Sequence, residues 1–307
     1  MLDRFGKLHT ARVAANGAVA LNDAARHIGV AGRPLGFTFD AVGRMLICDP
    51  VAGLLRYTAP GSGQPRAVTE VLSNGLADGT SIRYANDVAV ARDGTIYFTA
   101  SSDQAVGFGA ADELGGGFYD TMTGSKLNLV HGAPTGRLLR YDAHTGETTV
   151  LHEGLWFANG VALDPDEKFV LVCETFAARV WRHWLGNSTI ELFADRLPGF
   201  PDGLRPREGG GYWVGLVNPP SVLVKLPLRS RALRAVMGHI TALLEPFIPR
   251  WGCVAHLGAD GAKVKLLVDR EGTHVQSISS VHQHGRRLYL GNLMNDYVTY
   301  LDLEPGE

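Results

Sequence analysis

Three short oxygen-bearing side chains recur at one place in a repeated six-residue word. The word reads Ala85-Asn86-Asp87-Val88-Ala89-Val90, returns as Ala158-Asn159-Gly160-Val161-Ala162-Leu163, and again as Pro201-Asp202-Gly203-Leu204-Arg205-Pro206. Asn86, Asn159 and Asp202 hold its second position. Amide carbonyls and carboxylates are hard oxygen donors of the kind calcium gathers. An architecture that converges equivalent positions of its repeats would make one metal site from these three residues. A divalent cation there would polarise a carbonyl or phosphoryl oxygen and stabilise developing negative charge. Asp202 would then be both a ligand and a group that activates water. A histidine near the site could serve as general base, because its ordinary pKa lies near neutrality. His282, His284, His256 and His131 are the candidates; His282 and His284 share one strand face, and His282 is taken as the base. The competing reading is that Asn and Asp simply open strands at turns, where both are favoured, and that each histidine is structural or exposed.

These residues need strands to carry them, and the chain supplies them. Each word opens a strand–turn–strand unit. The turns are Arg92-Asp93-Gly94, Asp164-Pro165-Asp166-Glu167 and Glu208-Gly209-Gly210. Two further words, Pro34-Leu35-Gly36-Phe37 and Ile278-Ser279-Ser280-Val281, open units of the same kind. Short β-branched and aromatic runs follow as third and fourth strands, for example Gly136-Arg137-Leu138-Leu139-Arg140-Tyr141. Unit starts roughly 40 to 75 residues apart, with four antiparallel strands each, describe an all-β protein, a β-propeller that uses residues 1–307 as a single domain. Segments before Gly32 read as outer strands only, so the first blade looks shortened. The run Cys253-Val254-Ala255-His256-Leu257 reads as outer strands of the fifth unit. Residues 101–134 read as a Gly-rich surface insertion. Residues 228–249 read as one helical insertion, with Leu233, Val236, Ile240, Leu243 and Leu244 on an apolar stripe.

Composition excludes several classes. The 307 residues are 45% hydrophobic and 20% charged, with a net charge of −2, so no basic footprint for nucleic acid exists. No apolar run reaches membrane-spanning length, and the first ten residues lack the apolar core of a secretory leader. Cys48, Cys173 and Cys253 form no C-x-x-C motif and read as reduced, buried thiols, which together with the leaderless start predicts a cytoplasmic protein. No Gly-x-Ser-x-Gly elbow or dinucleotide-binding glycine motif is present. Open strand edges at an incomplete blade template pairing, so a homo-oligomer, or else an aggregation-prone chain, is expected.

Several stretches resemble the strictosidine synthase-like family: Arg33-Pro34-Leu35-Gly36-Phe37, Phe157-Ala158-Asn159-Gly160-Val161, Glu174-Thr175-Phe176-Ala177-Ala178-Arg179 and Leu197-Pro198-Gly199-Phe200-Pro201-Asp202. The wider superfamily includes gluconolactonases, paraoxonase-like lactonases and phosphotriesterases. The resemblance implies a six-bladed β-propeller with Ca²⁺, or another divalent cation, in the central tunnel. Its ligands in that superfamily are a first-blade Glu, two Asn and an Asp; by position Asn86, Asn159 and Asp202 match the last three, and no Glu matches the first. Strictosidine synthase itself uses a last-blade Glu for its condensation. The matching residue here is Ser279, which argues against that chemistry. The resulting expectation is a metal-dependent hydrolase acting on a small-molecule lactone or ester. The alternatives are a metal-free condensing enzyme or lyase of specialised metabolism and a non-catalytic binding propeller.

Overall fold

The computed structural model describes residues 7–13, 19–21, 26–29, 32–61, 64–109, 119–220, 230, 232–234 and 249–304. Five antiparallel sheets follow one another along the chain. Blade 1 comprises Phe37–Phe39, Met45–Asp49, Gly53–Thr58 and Val68–Ser73. Blade 2 comprises Ala85–Val90, Ile96–Ala100, Gly136–Tyr141 and Thr148–Leu155. Blade 3 comprises Ala158–Leu163, Phe169–Glu174, Arg179–Trp184 and Ile190–Ala194. Blade 4 comprises Pro201–Pro206, Tyr212–Leu216, Gly252–Leu257 and Lys263–Asp269, and blade 5 Ile278–His284, Arg287–Asn292 and Thr299–Asp302. Each word supplies the first, innermost strand of its blade, and these inner strands pack side by side in chain order.

Apolar residues on alternate faces of each sheet weld one blade to the next. Leu46, Cys48 and Leu54 meet Val88, Ile96 and Phe98 between blades 1 and 2. Leu138 and Leu155 meet Val161, Val170 and Val172 between blades 2 and 3. Leu171, Cys173 and Val180 meet Leu204, Val214 and Leu216 between blades 3 and 4. Trp213 and Val254 meet Val281, Leu288 and Leu290 between blades 4 and 5. All three cysteines are buried and free within this packing, as expected of reduced thiols.

The expected six blades are five among the described residues. On the side of blade 1 turned away from blade 2, Ile28 and Leu8 pack against Met45, Ile47, Leu55 and Tyr57. They belong to a segment in which Lys7–Leu8 pairs with Arg26–His27 and Ala11–Val13 pairs with Val19–Leu21. These strands of two or three residues pair only with one another among the described residues, and so build no sixth four-stranded sheet.

Two other expectations need correction. Gly252–Leu257 and Lys263–Asp269 are the third and fourth strands of blade 4, not outer strands of the fifth unit. A long insertion after Leu216 separates them from their own hairpin. The helix expected over 228–249 lies outside the described residues except for a helical turn at 232–234. A helix that composition did not announce, α1 (Thr121–His131), stands in the blade 2 insertion. Asp120 caps it by accepting from the Thr123 amide, and Gly132 ends it in the left-handed conformation. Gly124 and Asn128 in its middle weaken the propensity signal.

Candidate functional site

The words reach the axis through a local irregularity that all four later blades share. In each, the register between first and second strands slips at the word, between Ala85 and Val88, Ala158 and Val161, Pro201 and Leu204, and Ile278 and Ser280. Such a bulge re-aims the side chains it contains. The third position of the word is where neighbouring inner strands come closest. A Cβ at Gly36 would lie 2.7 Å from the Asn86 carbonyl oxygen, at Gly160 2.1 Å from that of Asp202, and at Gly203 2.6 Å from that of Ser279. Blades 1, 3 and 4 therefore require glycine there, because their inner strands run directly against that of the next blade.

The second column reads Leu35, Asn86, Asn159, Asp202 and Ser279 around the five blades. Asn86 donates from Nδ2 to the Ser101 hydroxyl at 2.8 Å, and Ser101 donates to the Ala158 carbonyl at 2.7 Å. Asn159 donates from Nδ2 to Thr175 Oγ1 at 3.2 Å, and Thr175 donates to the Pro201 carbonyl at 2.8 Å. Asn159 is 4% exposed, and its Oδ1 is buried without a donor. Asp202 is partly accessible, yet burial pushes its carboxyl up to about 8. The Asp87 carboxylate pushes in the same direction, while a hydrogen bond from Asn159 and the charge of Arg205 oppose it. Asn159 and Asp202 are thus in direct contact, and the hydroxyl bridges tie Asn86 to the blade of Asn159 and Asn159 to that of Asp202.

Arg205 does not neutralise Asp202, because it is engaged elsewhere. Its Nη1 and Nη2 donate to the two oxygens of Asp87 at 2.7 and 2.9 Å. Asp87 Oδ2 also accepts from the Val161 amide at 3.1 Å. Asp202 is therefore the one side chain of the column that can ionise, and a cation bound there would favour its charged form.

An aromatic arc stands at the entrance to the inner strands. Tyr84, Phe157 and Phe200 each immediately precede a word. Ring centroids lie 5.2 Å apart for Tyr84 and Phe157, 5.1 Å for Phe157 and Phe176, and 6.3 Å for Phe176 and Phe200. Leu35 and Tyr119 join this cluster. Phe176 retains partial exposure. The nearby tryptophans lie elsewhere: Trp213 and Trp251 pack between blades, and Trp156 presents its amide to Glu174. Buried Glu174 also accepts from Arg179 and Trp181, a structural clamp on the same corner.

The histidines fall elsewhere. His282 is three residues along the blade 5 strand from Ser279, roughly 10 Å at ordinary strand rise. Its side chain reaches solvent, and its pKa is lowered by the partial loss of water around the ring and by the neighbouring Arg205 and His284. His256 stacks on Trp213 at 5.0 Å, and His131 sits in the last turn of α1. The serine and threonine hydroxyls that hold the two asparagines were missed by the sequence reading. Their signal was available: both stand at the same step after the second strand, in the two blades whose word carries Asn.

Among the described residues no group of three or more His, Cys, Asp or Glu forms a metal cluster. The column has different chemistry: two amide oxygens and one carboxylate, all hard donors suited to calcium rather than to a thiolate- or imidazole-seeking metal. The orphaned Asn159 Oδ1 and the electrostatically stressed Asp202 are the features a cation would relieve, so the residues present fit calcium.

A propeller with a polar axial column under an aromatic rim defines a class that places small-molecule sites in its central tunnel. The strictosidine synthase family model matches residues 118–188. The adipocyte plasma membrane-associated protein of Rattus norvegicus is 33% identical over 286 residues, covering 89% of this chain and 70% of its own length. That of Salmo salar is 34% identical over 284 residues, and there the chain spans 64% of the relative's length. A gluconolactonase from Xanthomonas campestris aligns with a TM-score of 0.54 at 18% identity, covering 94% of this chain and 85% of that one. The calcium-binding regucalcin of Agrobacterium tumefaciens aligns with a TM-score of 0.55 at 13% identity, covering 95% and 77%. The chain belongs to the strictosidine synthase-like family, and its fold is shared with gluconolactonases. Among the described residues no helix is long and apolar enough to cross a membrane.

Proposed function

We propose that this protein is a cation-assisted hydrolase of small lactones or esters, with Asn86, Asn159 and Asp202 as the protein ligands. The observation that carries this reading is the buried Asn159 Oδ1, which has no donor and belongs to an amide in contact with Asp202. Its fold relatives among gluconolactonases and regucalcin support it. A bound calcium, or a similar divalent ion, would supply Lewis-acid polarisation of the scissile carbonyl. The chain's own residues do the rest. The arc of Tyr84, Phe157, Phe176 and Phe200 shields the apolar part of the substrate from water and orients its carbonyl toward the column. Asp202, in the ionised form that a bound cation would favour, accepts a hydrogen bond from the attacking water and takes its proton. His282, on the Arg205 side of blade 5, is a second proton acceptor, reached through solvent. Ser279 offers a hydroxyl where a condensing enzyme of this family has a carboxylate, which favours hydrolysis over alkaloid condensation. The test is hydrolysis of a lactone and ester panel with and without a chelator, repeated for Asp202→Asn. Self-association through the three-stranded edge of blade 5 is part of the same proposal, checked by light scattering.

A further inference from the structure

We infer that Ser101 and Thr175 are positioning residues that decide which end of the Asn86 and Asn159 amides faces a ligand. The inference rests on the cation reading of the column and deepens it. An asparagine amide has a donor end and an acceptor end of nearly equal shape, so an Asn is a cation ligand only when something fixes its orientation. A hydroxyl has one proton. Ser101 gives its proton to the Ala158 carbonyl, and Thr175 gives its own to the Pro201 carbonyl. Each oxygen can therefore only accept from its asparagine, and it selects Nδ2 at 2.8 and 3.2 Å; Asp202 also accepts from Asn159 and so acts in the same direction as Thr175. The carbonyl end is what each amide has left, and in Asn159 it is the buried atom without a donor.

The pattern around the ring agrees. The two residues occupy one structural position, marked by a backbone bond to the residue before the word: Ser101 to Tyr84 at 2.9 Å and Thr175 to Phe157 at 3.1 Å. The same bond places Val217 against Phe200 in blade 4 and Leu293 against Ser277 in blade 5. A hydroxyl stands there only where the adjoining word carries Asn. Blade 4 carries Asp202, whose two oxygens are equivalent and need no orienting, and the position is apolar.

The test is calorimetric titration of Ca²⁺ into the purified full chain. Thr175→Val and Ser101→Ala should each weaken binding about tenfold, whereas Thr175→Ser should bind like the original protein. In an Asn159→Asp background, where the ligand is symmetric, Thr175→Val should no longer weaken binding; a merely structural role would persist there. Ser101→Ala probes the same claim independently should Thr175→Val fail to fold. If the original chain binds calcium and neither hydroxyl matters, the positioning role is wrong and the cation site stands. If the original chain binds no calcium, the cation reading falls and this inference falls with it.

Discussion

Arg205 in blade 4 grips Asp87 in blade 2 with two parallel hydrogen bonds that span blade 3, where both also bond to the Val161 backbone. The pair joins residues 118 apart in sequence, and the Arg205 Nη1 also donates to the Leu204 carbonyl at 2.7 Å. Asp87 stands in the column where blades 1, 3 and 4 need glycine. Its side chain is 6% exposed and that of Arg205 27% exposed. The pair braces the inner strands beneath the asparagine column and keeps the guanidinium from neutralising Asp202.

Removing one member leaves a largely buried charge without its partner. Asp87→Asn should destabilise the fold by about 3 kcal/mol, the low end for breaking a buried pair because Arg205 keeps some solvent. Asp87→Asn/Arg205→Met should recover part of that loss. Urea denaturation of the three variants measures both effects.

The glycine column is a packing constraint and should behave as one. Gly160→Ala puts a methyl 2.1 Å from the Asp202 carbonyl oxygen and should cost about 1–3 kcal/mol by overpacking. It should also weaken calcium binding by displacing Asp202. Gly186→Ala, with open space around it, should leave both thermal stability and calcium affinity unchanged.

Acid should loosen the seam between blades 2 and 3. His183 is 3% exposed, and its Nδ1 has no partner. Its pKa is lowered from 6.5 by burial and by the neighbouring His152. His152 is lowered by burial too, against the pull of Glu174, and it packs 5.5 Å from Trp181. Where the folded pKa is depressed, the unfolded chain binds more protons, so stability is fully present above about 6.5 and is lost as pH falls below it. His183→Gln should flatten this dependence, read as melting temperature between pH 7.5 and pH 5.

His282 and Asp202 should separate kinetically. Loss of a proton acceptor that is not a ligand leaves cation binding intact. His282→Gln should therefore lower kcat several-fold at unchanged calcium affinity, whereas Asp202→Asn should lose both. Steady-state kinetics with parallel calcium titration distinguish them.

The sequence showed the blades that matter for the site, because the word recurs at the start of each hairpin. Five inner strands and their hairpin partners lie where Leu35, Asn86, Asn159, Asp202 and Ser279 predicted. It misled where insertions interrupt the repeat: the strand Gly252–Leu257 is detached from its hairpin by the long segment after Leu216 and so read as part of the next unit. The blade number followed family resemblance rather than residues, and the described strands Lys7–Leu8, Ala11–Val13, Val19–Leu21 and Arg26–His27 are too short to honour it. Helix α1 escaped because its Gly, Asn and Thr content hides a segment fixed by tertiary contact, such as the Tyr84 hydroxyl donating to the Thr121 carbonyl at 2.5 Å. Ser101 and Thr175 escaped because their role appears only once the hydrogen bonds across blades are seen.

The central claim is that hydrolysis occurs at the Asn86, Asn159 and Asp202 column with a cation held there. Hydrolysis rates over a panel of lactones and carboxylic esters, measured before chelation, after chelation and after calcium is restored, test it most directly. Activity should disappear with chelator, return with calcium and be absent in Asp202→Asn. Activity that survives chelation, or survives the loss of Asp202, would contradict it.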